Sequence, residues 1–294
     1  MKWKYFLLLL PIVLVAGCTE NQVVGNGLIT TISPDSSMVF SSGTVRINVD
    51  LDNQNPRPIT DVNAAIFDPG LLKAMGGDTI DLYNLANTKT CGKHIDEMLP
   101  NQFQSFACIF QAPSKIELPQ NSLENDINAK VEYKTDFSAV QLIELMTDQE
   151  YLRRTATNTF QQKSKSYSYH DRNVEIDVDF SDNLPIVKRS GDQKDYFVYI
   201  TIKNIGNGFI KEITRNDFNI VQAKAGGVNI EDIVSCPFRD QQNWKLEPLG
   251  KEFPRIACQL NLPEGLNVIE NYGMLITLNY NYETRDKATI TVVR

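Results

Sequence analysis

Seven side chains in this sequence are of the kind that ligate metals, exchange disulfides or move protons near neutral pH. They are Cys18, Cys91, Cys108, Cys236, Cys258, His94 and His170. A structural zinc site needs C-x₂₋₄-C knuckles or clustered histidines, and no two cysteines here have that spacing. Acyl transfer needs a histidine beside a nucleophile, but no G-x-S-x-G, H-E-x-x-H or P-loop motif occurs. Both histidines are read as solvent-exposed. No catalytic residue is assigned and the chain is read as a non-enzyme. The remaining chemistry is carried by carboxylates. "EIDVDFSDN" places Glu175, Asp177 and Asp179 on one strand face, with Asp182 just beyond. Hard oxygen ligands suit Ca²⁺. These four are the candidate ligands of a structural calcium ion, against a competing reading as a solvated strand face. No other cofactor is expected.

The element that must position the cysteines is written twice. "FQSFACIFQAP" (Phe103 to Pro113) and "FPRIACQLNLP" (Phe253 to Pro263) share Phe, Ala, Cys and Pro at identical offsets. Phe106, Cys108, Phe110 and Ala112 alternate, as do Ile256, Cys258, Leu260 and Leu262. A period of two is a strand with one buried face. Proline ends it, because it lacks the ladder N–H. The shared Phe, five positions before each cysteine, is expected to pack where the strand begins. Cys91 and Cys236 precede the two copies, so the duplication selects disulfides Cys91–Cys108 and Cys236–Cys258, each closing a loop worth about 3 kcal/mol. A mixed site with His94 is disfavoured, since Arg239 holds that offset in the second copy.

Further strands repeat as well. Val45, Ile47, Val49 and Leu51 alternate before a turn at Asp52–Pro58. Val198, Ile200 and Ile202 alternate before a turn at Asn204–Gly208, where Asn207-Gly208 suits positive φ. Late in each copy a tyrosine-bearing strand ("AKVEYKTDF", "LITLNYNYET") precedes a closing strand ("AVQLIEL", "KATITVV"). Short strands at this spacing predict an all-β chain of two tandem antiparallel sandwiches. Between them, Thr147 and Glu150 form a capping box. It opens a helix from Asp148 to about Gln162, and Ser164 to Asp171 then reads as a polar linker.

The first residues are not part of either sandwich. Lys2 and Lys4 precede the uncharged run Tyr5 to Ala16, then Gly17 and Cys18. This is the layout of a secretory signal, too short to span a bilayer. "LVAGC" (Leu14 to Cys18) resembles the lipobox of prokaryotic lipoproteins. That resemblance implies cleavage before Cys18 and its lipidation, and two acyl chains anchor stably. It also accounts for the odd cysteine. "VYITIKNIGNGFIKEI" resembles the strand-turn-strand of cell-adhesion-related (CARDB-like), immunoglobulin-like domains of prokaryotic surface proteins, archaeal ones above all. The expected order is a signal peptide (1–17), a lipidated tether (18–26), a first immunoglobulin-like sandwich (27–146), a helical linker (147–172) and a second sandwich (173–294). On this order the first sandwich stands near the membrane and the second farther out.

The net charge of −7 repels nucleic acid, and the densest basic clusters, Arg153-Arg154 and Lys188-Arg189, hold two charges each. Loops on rigid sandwiches carry binding residues. Phe238, Arg239 and Trp244 are residue types favoured as interface anchors, with local packing over the disulfide as the competing reading. The function expected is that of an extracytoplasmic lipoprotein, held to the cell membrane through Cys18. It displays two modules for adhesion or contact with a protein or surface polymer. The alternative is a solute-binding or accessory lipoprotein of an envelope transport or secretion complex. A concave apolar pocket between the modules would favour that alternative.

Overall fold

A computed structural model describes residues 27–77, 91–189, 194–224, 233–239, 241–263 and 265–294. Cys18, the signal and the tether lie outside them. The fold is all-β, 61% strand and 5% helical, in antiparallel sheets packed as sandwiches. In chain order the strands are β1 (Leu28–Pro34), β2 (Met38–Phe40), β3 (Thr44–Asn53), β4 (Ile59–Asp68), β5 (Lys73–Gly77), β6 (Cys91–Met98), β7 (Phe103–Gln111) and β8 (Ser122–Thr147). After the helix α1 (Asp148–Ala156) come β9 (Ser166–His170), β10 (Val174–Phe180), β11 (Ile186–Lys188), β12 (Tyr196–Asn204), β13 (Ile213–Thr214) and β14 (Phe218–Lys224). The last are β15 (Val234–Ser235), β16 (Lys245–Leu246), β17 (Ile256–Leu260) and β18 (Ile269–Val293).

The organising feature is the pair β8 and β18. The sequence pattern predicts two successive strands in the place of each. Each is one uninterrupted strand, of 26 and 25 residues, and they pair antiparallel over all of β18. No Gly, Pro or Asn-Gly pair stands between Phe137 and Ala139, or between Thr284 and Lys287, to bend the chain back. The pairing therefore crosses between the two halves of the sequence. One end of the ladder (Ser122–Val131 with Thr284–Val293) is flanked by β4, then β6, on the β8 side and by β2 on the β18 side. The other end (Ala139–Met146 with Ile269–Ile276) is flanked by β14 on the β18 side and by β11 on the β8 side. Both short flanking strands, β2 and β11, run parallel to the strand they join.

The buried positions keep one parity along the ladder. Ile127, Ala129, Val131, Phe137, Ala139, Ile143 and Leu145 face inward from β8, and Tyr272, Met274, Ile276, Leu278, Ile290 and Val292 from β18. Two smaller sheets supply the opposing core: β1-β3-β7-β5 from the first half, and β15-β17-β12-β10-β9 from the second. The buried apolar residues of both halves form one continuous cluster. The last residues of the chain thus complete the first half's core, and residues 139–145 complete the second's.

Three smaller expectations are corrected. The helix ends at Ala156 rather than near Gln162. The Thr157 hydroxyl bonds back to the Arg153 and Arg154 carbonyls, and Asn158 turns to φ +53°, a left-handed conformation that stops helices and that Asn tolerates. The expected linker Ser164–Asp171 contains β9, paired with β10 through "SYSYH". The repeated Phe is not equivalent in its two copies, since Phe253 is 2% exposed and Phe103 is 59% exposed.

Glu270, buried where β18 begins, accepts from Lys224 Nζ (2.6 Å), Tyr272 Oη (2.7 Å) and Asn267 Nδ2 (2.6 Å). Burial raises its carboxyl pKa, but these donors outweigh burial and hold it at about 2, below the ordinary 4.5. A depressed folded pKa gives stability that is present above the ordinary value and is lost as pH falls towards 2. Glu270→Gln should therefore lower the melting temperature clearly at pH 7 and much less at pH 2.5. An equal loss at both would contradict this account.

Candidate functional site

The two halves meet in a seam lined by polar side chains. The tight turns after β3 and β12 are built alike. Asn53 Oδ1 accepts from the Asn55 backbone N–H (3.1 Å), and Asn204 Oδ1 from that of Gly206 (3.2 Å). Between the turns, Asn173 is fully buried. Its Oδ1 accepts from the Gly27 N–H (3.1 Å), and its Nδ2 lies 3.2–3.3 Å from Asn55 Oδ1, Tyr133 Oη and Tyr280 Oη. Two hydrogens serve those three acceptors. Tyr280 Oη also donates to Asp171 Oδ2 (2.8 Å), and Tyr282 Oη donates to Asn204 Oδ1 (2.9 Å). Burial pushes the Tyr282 hydroxyl up to about 12 and those of Tyr133 and Tyr280 up as well, so all three stay protonated. Burial also raises the Asp171 carboxyl, against N–H bonds from Val174 and Asn173. A side chain at Gly27 would collide with Asn55 and Asn173, and one at Gly208 with Tyr282 and the Glu283 carbonyl. Gly208 serves this close approach; the positive φ expected for its turn is not observed there.

The seam locks the halves together. Gly27, where the described chain begins, is hydrogen-bonded to Asn173 of the second half. The described chain therefore begins at the seam between the halves.

The structure joins Cys91 to Cys108 and Cys236 to Cys258. Cys91 lies on β6 of the long sheet and Cys108 on β7 of the smaller one, so the first bridge ties two layers together. Phe238 is not a surface anchor. It is 3% exposed and packs with Phe218 and Trp244, its ring centroid 5.2 Å from each. Trp244 is partly buried on the same cluster, and the side chain of Arg239 lies outside the described residues. Phe238 and Trp244 thus pack locally against Phe218. Of the calcium candidates, Glu175, Asp177 and Asp179 do share one face of β10, but each is engaged by a cation. Lys203 reaches Glu175 (3.2 Å) and Asp177 (2.5 Å), Arg255 reaches Asp179 (3.1 Å) and Lys194 reaches Asp182 (2.7 Å). Among the described residues no three metal-ligating side chains converge. His94 is partly exposed, between Asn63 Oδ1 (2.8 Å) and Asp96 Oδ1 (3.1 Å), and His170 is exposed.

A cleft of about 420 Å³ opens where α1 and the segment after it lie against the second half. Pairing of β11 with the end of β8 brings its walls together. Thr147 caps α1 (Oγ1 to the Glu150 N–H, 3.4 Å), and Glu150, buried, holds Arg153 and Arg154 at 2.7 Å. Those two guanidinium groups, Arg153 first, lower the Glu150 carboxyl to about 2, so the clamp is fully charged at neutral pH. Tyr151 and Phe160 meet edge to face at 4.9 Å on one wall, and Tyr196 forms the other. Sequence reasoning missed this cleft because its walls are set by long-range pairing. The one signal was the aromatic pair Tyr151 and Phe160 at the ends of the expected helix face.

No family model and no curated protein matches the chain. Among solved structures, the collagen adhesin (CNA) from S. aureus aligns at 12% identity over 91% of this chain and 93% of that one. Its TM-score of 0.14 carries no argument about fold or activity. Among the described residues no helix is long and apolar enough to cross a membrane. Buried disulfides belong to oxidising compartments, which places the folded chain outside the cytoplasm.

Proposed function

We propose that this protein is an extracytoplasmic lipoprotein, lipidated on Cys18, that displays two immunoglobulin-like modules for adhesion or protein contact without catalysis. The carrying observation is the seam. Its centre is filled by hydrogen-bonded side chains, and the cleft of about 370 Å³ beside it is lined by the charged groups Asp61, Glu132, Lys134, Lys211 and Glu283, which supports a rigid display scaffold over an apolar solute pocket between the modules. The position of Gly27 at the seam supports display of both modules, each offering its loops. The lipobox-like "LVAGC" and the two disulfides agree on the compartment. The test is expression with the native leader in a bacterial host, followed by membrane fractionation and intact-mass measurement. The wild type should partition with membranes and carry a diacylglyceryl mass beginning at Cys18, and Cys18→Ser should not. Identical fractionation and an unmodified leader in both would overturn the anchor.

A further inference from the structure

The cleft beside α1 has the chemistry of a ligand site, and the seam does not. Its aromatic walls, Tyr151 and Phe160, are half-buried rather than sunk in the core. Around them the groups are planar and polar, namely the amides of Gln162 and Asn183 and the guanidinium of Arg189. This mixture suits a pyranose. Its C–H face lies flat on an aromatic ring, and its hydroxyls take hydrogen bonds from amides that donate and accept. An aliphatic ligand would leave those amides unpaired, at a cost.

The charges narrow the class. Among the described lining residues, the ionisable ones apart from tyrosine are Asp182, Arg189 and Lys194, with one net positive charge. Lys194 is committed, hydrogen-bonding Asp182 Oδ1 at 2.7 Å, ion-paired with the same carboxylate and lying 5.4 Å over the Tyr196 ring. Arg189 is exposed and forms no ion pair with another described residue. A guanidinium fork matches a carboxylate bidentately. On a chain of net charge −7 such attraction is local, so an acidic polymer would be steered here and repelled elsewhere.

We propose that this cleft binds a carboxylate-bearing sugar unit of an acidic polysaccharide, stacked on the Tyr151 ring beside Phe160 and paired with Arg189. The inference deepens the adhesion reading by naming a ligand class, and it stands apart from lipidation. Binding without lipidation would sink the anchor alone, and lipidation with an inert cleft would sink this proposal alone.

The experiment is calorimetric titration of the detergent-solubilised full chain with tetragalacturonate, neutral galactotetraose and tetraglutamate. The acidic sugar should bind. The neutral sugar and the acidic peptide should bind at least tenfold more weakly. Arg189→Gln and Tyr151→Ala should each weaken tetragalacturonate at least tenfold. Equal binding of tetraglutamate would show an anion site without sugar recognition and overturn the proposal, as would equal binding of galactotetraose, or no binding at all. Should a variant melt early, amide shift mapping of the wild type decides. Shifts centred on Tyr151, Phe160, Gln162, Asn183, Arg189 and Tyr196 support the site, and shifts centred elsewhere overturn it.

Discussion

Deleting residues 284–294 should unfold the first half of the chain and spare the second. The deleted segment supplies Ile290 and Val292, both buried in the first half's core, and the ladder from Thr284–Val293 to Ser122–Val131. It also supplies the partner of β2. Each buried aliphatic is worth about 1.5–3 kcal/mol. Losing two of them with the ladder removes on the order of 5 kcal/mol, comparable to the whole stability of many domains. The second half keeps its own part of β18, Ile269–Ile276 on β14. Hydrogen exchange should lose protection in β3 and β7 and retain it in β10 and β12. A simple tandem order predicts the reverse, with the C-terminal half collapsing first, and that result would refute the exchanged topology.

The second large effect is expected at Asn173. Asn173→Ala removes the acceptor of the Gly27 N–H and a donor shared by Asn55, Tyr133 and Tyr280, all buried. Each stranded buried group costs about 1–3 kcal/mol, and partial rearrangement keeps the total near 3 kcal/mol. Tyr280→Phe should cost less, about 1 kcal/mol, because it removes one hydroxyl and leaves the Asn173 amide its other partners. Urea unfolding should show one transition for the wild type, shifted to a lower midpoint in both variants. Two separate transitions in the wild type, or an unmoved midpoint in Asn173→Ala, would show that the seam does not couple the halves.

Much of the framework was legible in local pattern. The alternation around Cys108 and Cys258 marks β7 and β17, and the turns after Leu51 and Ile202 fall where β3 and β12 end. Those signals lie within a few residues of each other. What escaped was set at long range. The unbroken parity from Ile127 to Leu145 is in the sequence, but two short strands joined by a hairpin show almost the same alternation. Only the absence of a turn pair near Phe137 and Thr284 separates the cases. "SYSYH" looked like a linker because its tyrosines alternate with serines, and its strand character comes from β10 beside it. Phe238 has the composition of an anchor and the position of a core residue, a distinction made by Phe218 and Trp244. The cleft was illegible for the same reason, since neither wall exists until β11 joins β8.

The shared ladder also dictates when the molecule can be finished. A polypeptide leaving the ribosome or a translocation channel emerges amino end first. Its opening half must then wait, incomplete, for Ile290 and Val292, made long after β8. Contacts so far apart along the chain form slowly. Throughout that interval the waiting edge of β8 is open to any passing strand, and sticky intermediates of this kind are what chaperones hold. Completion of the first half is therefore gated by synthesis of the far end of β18.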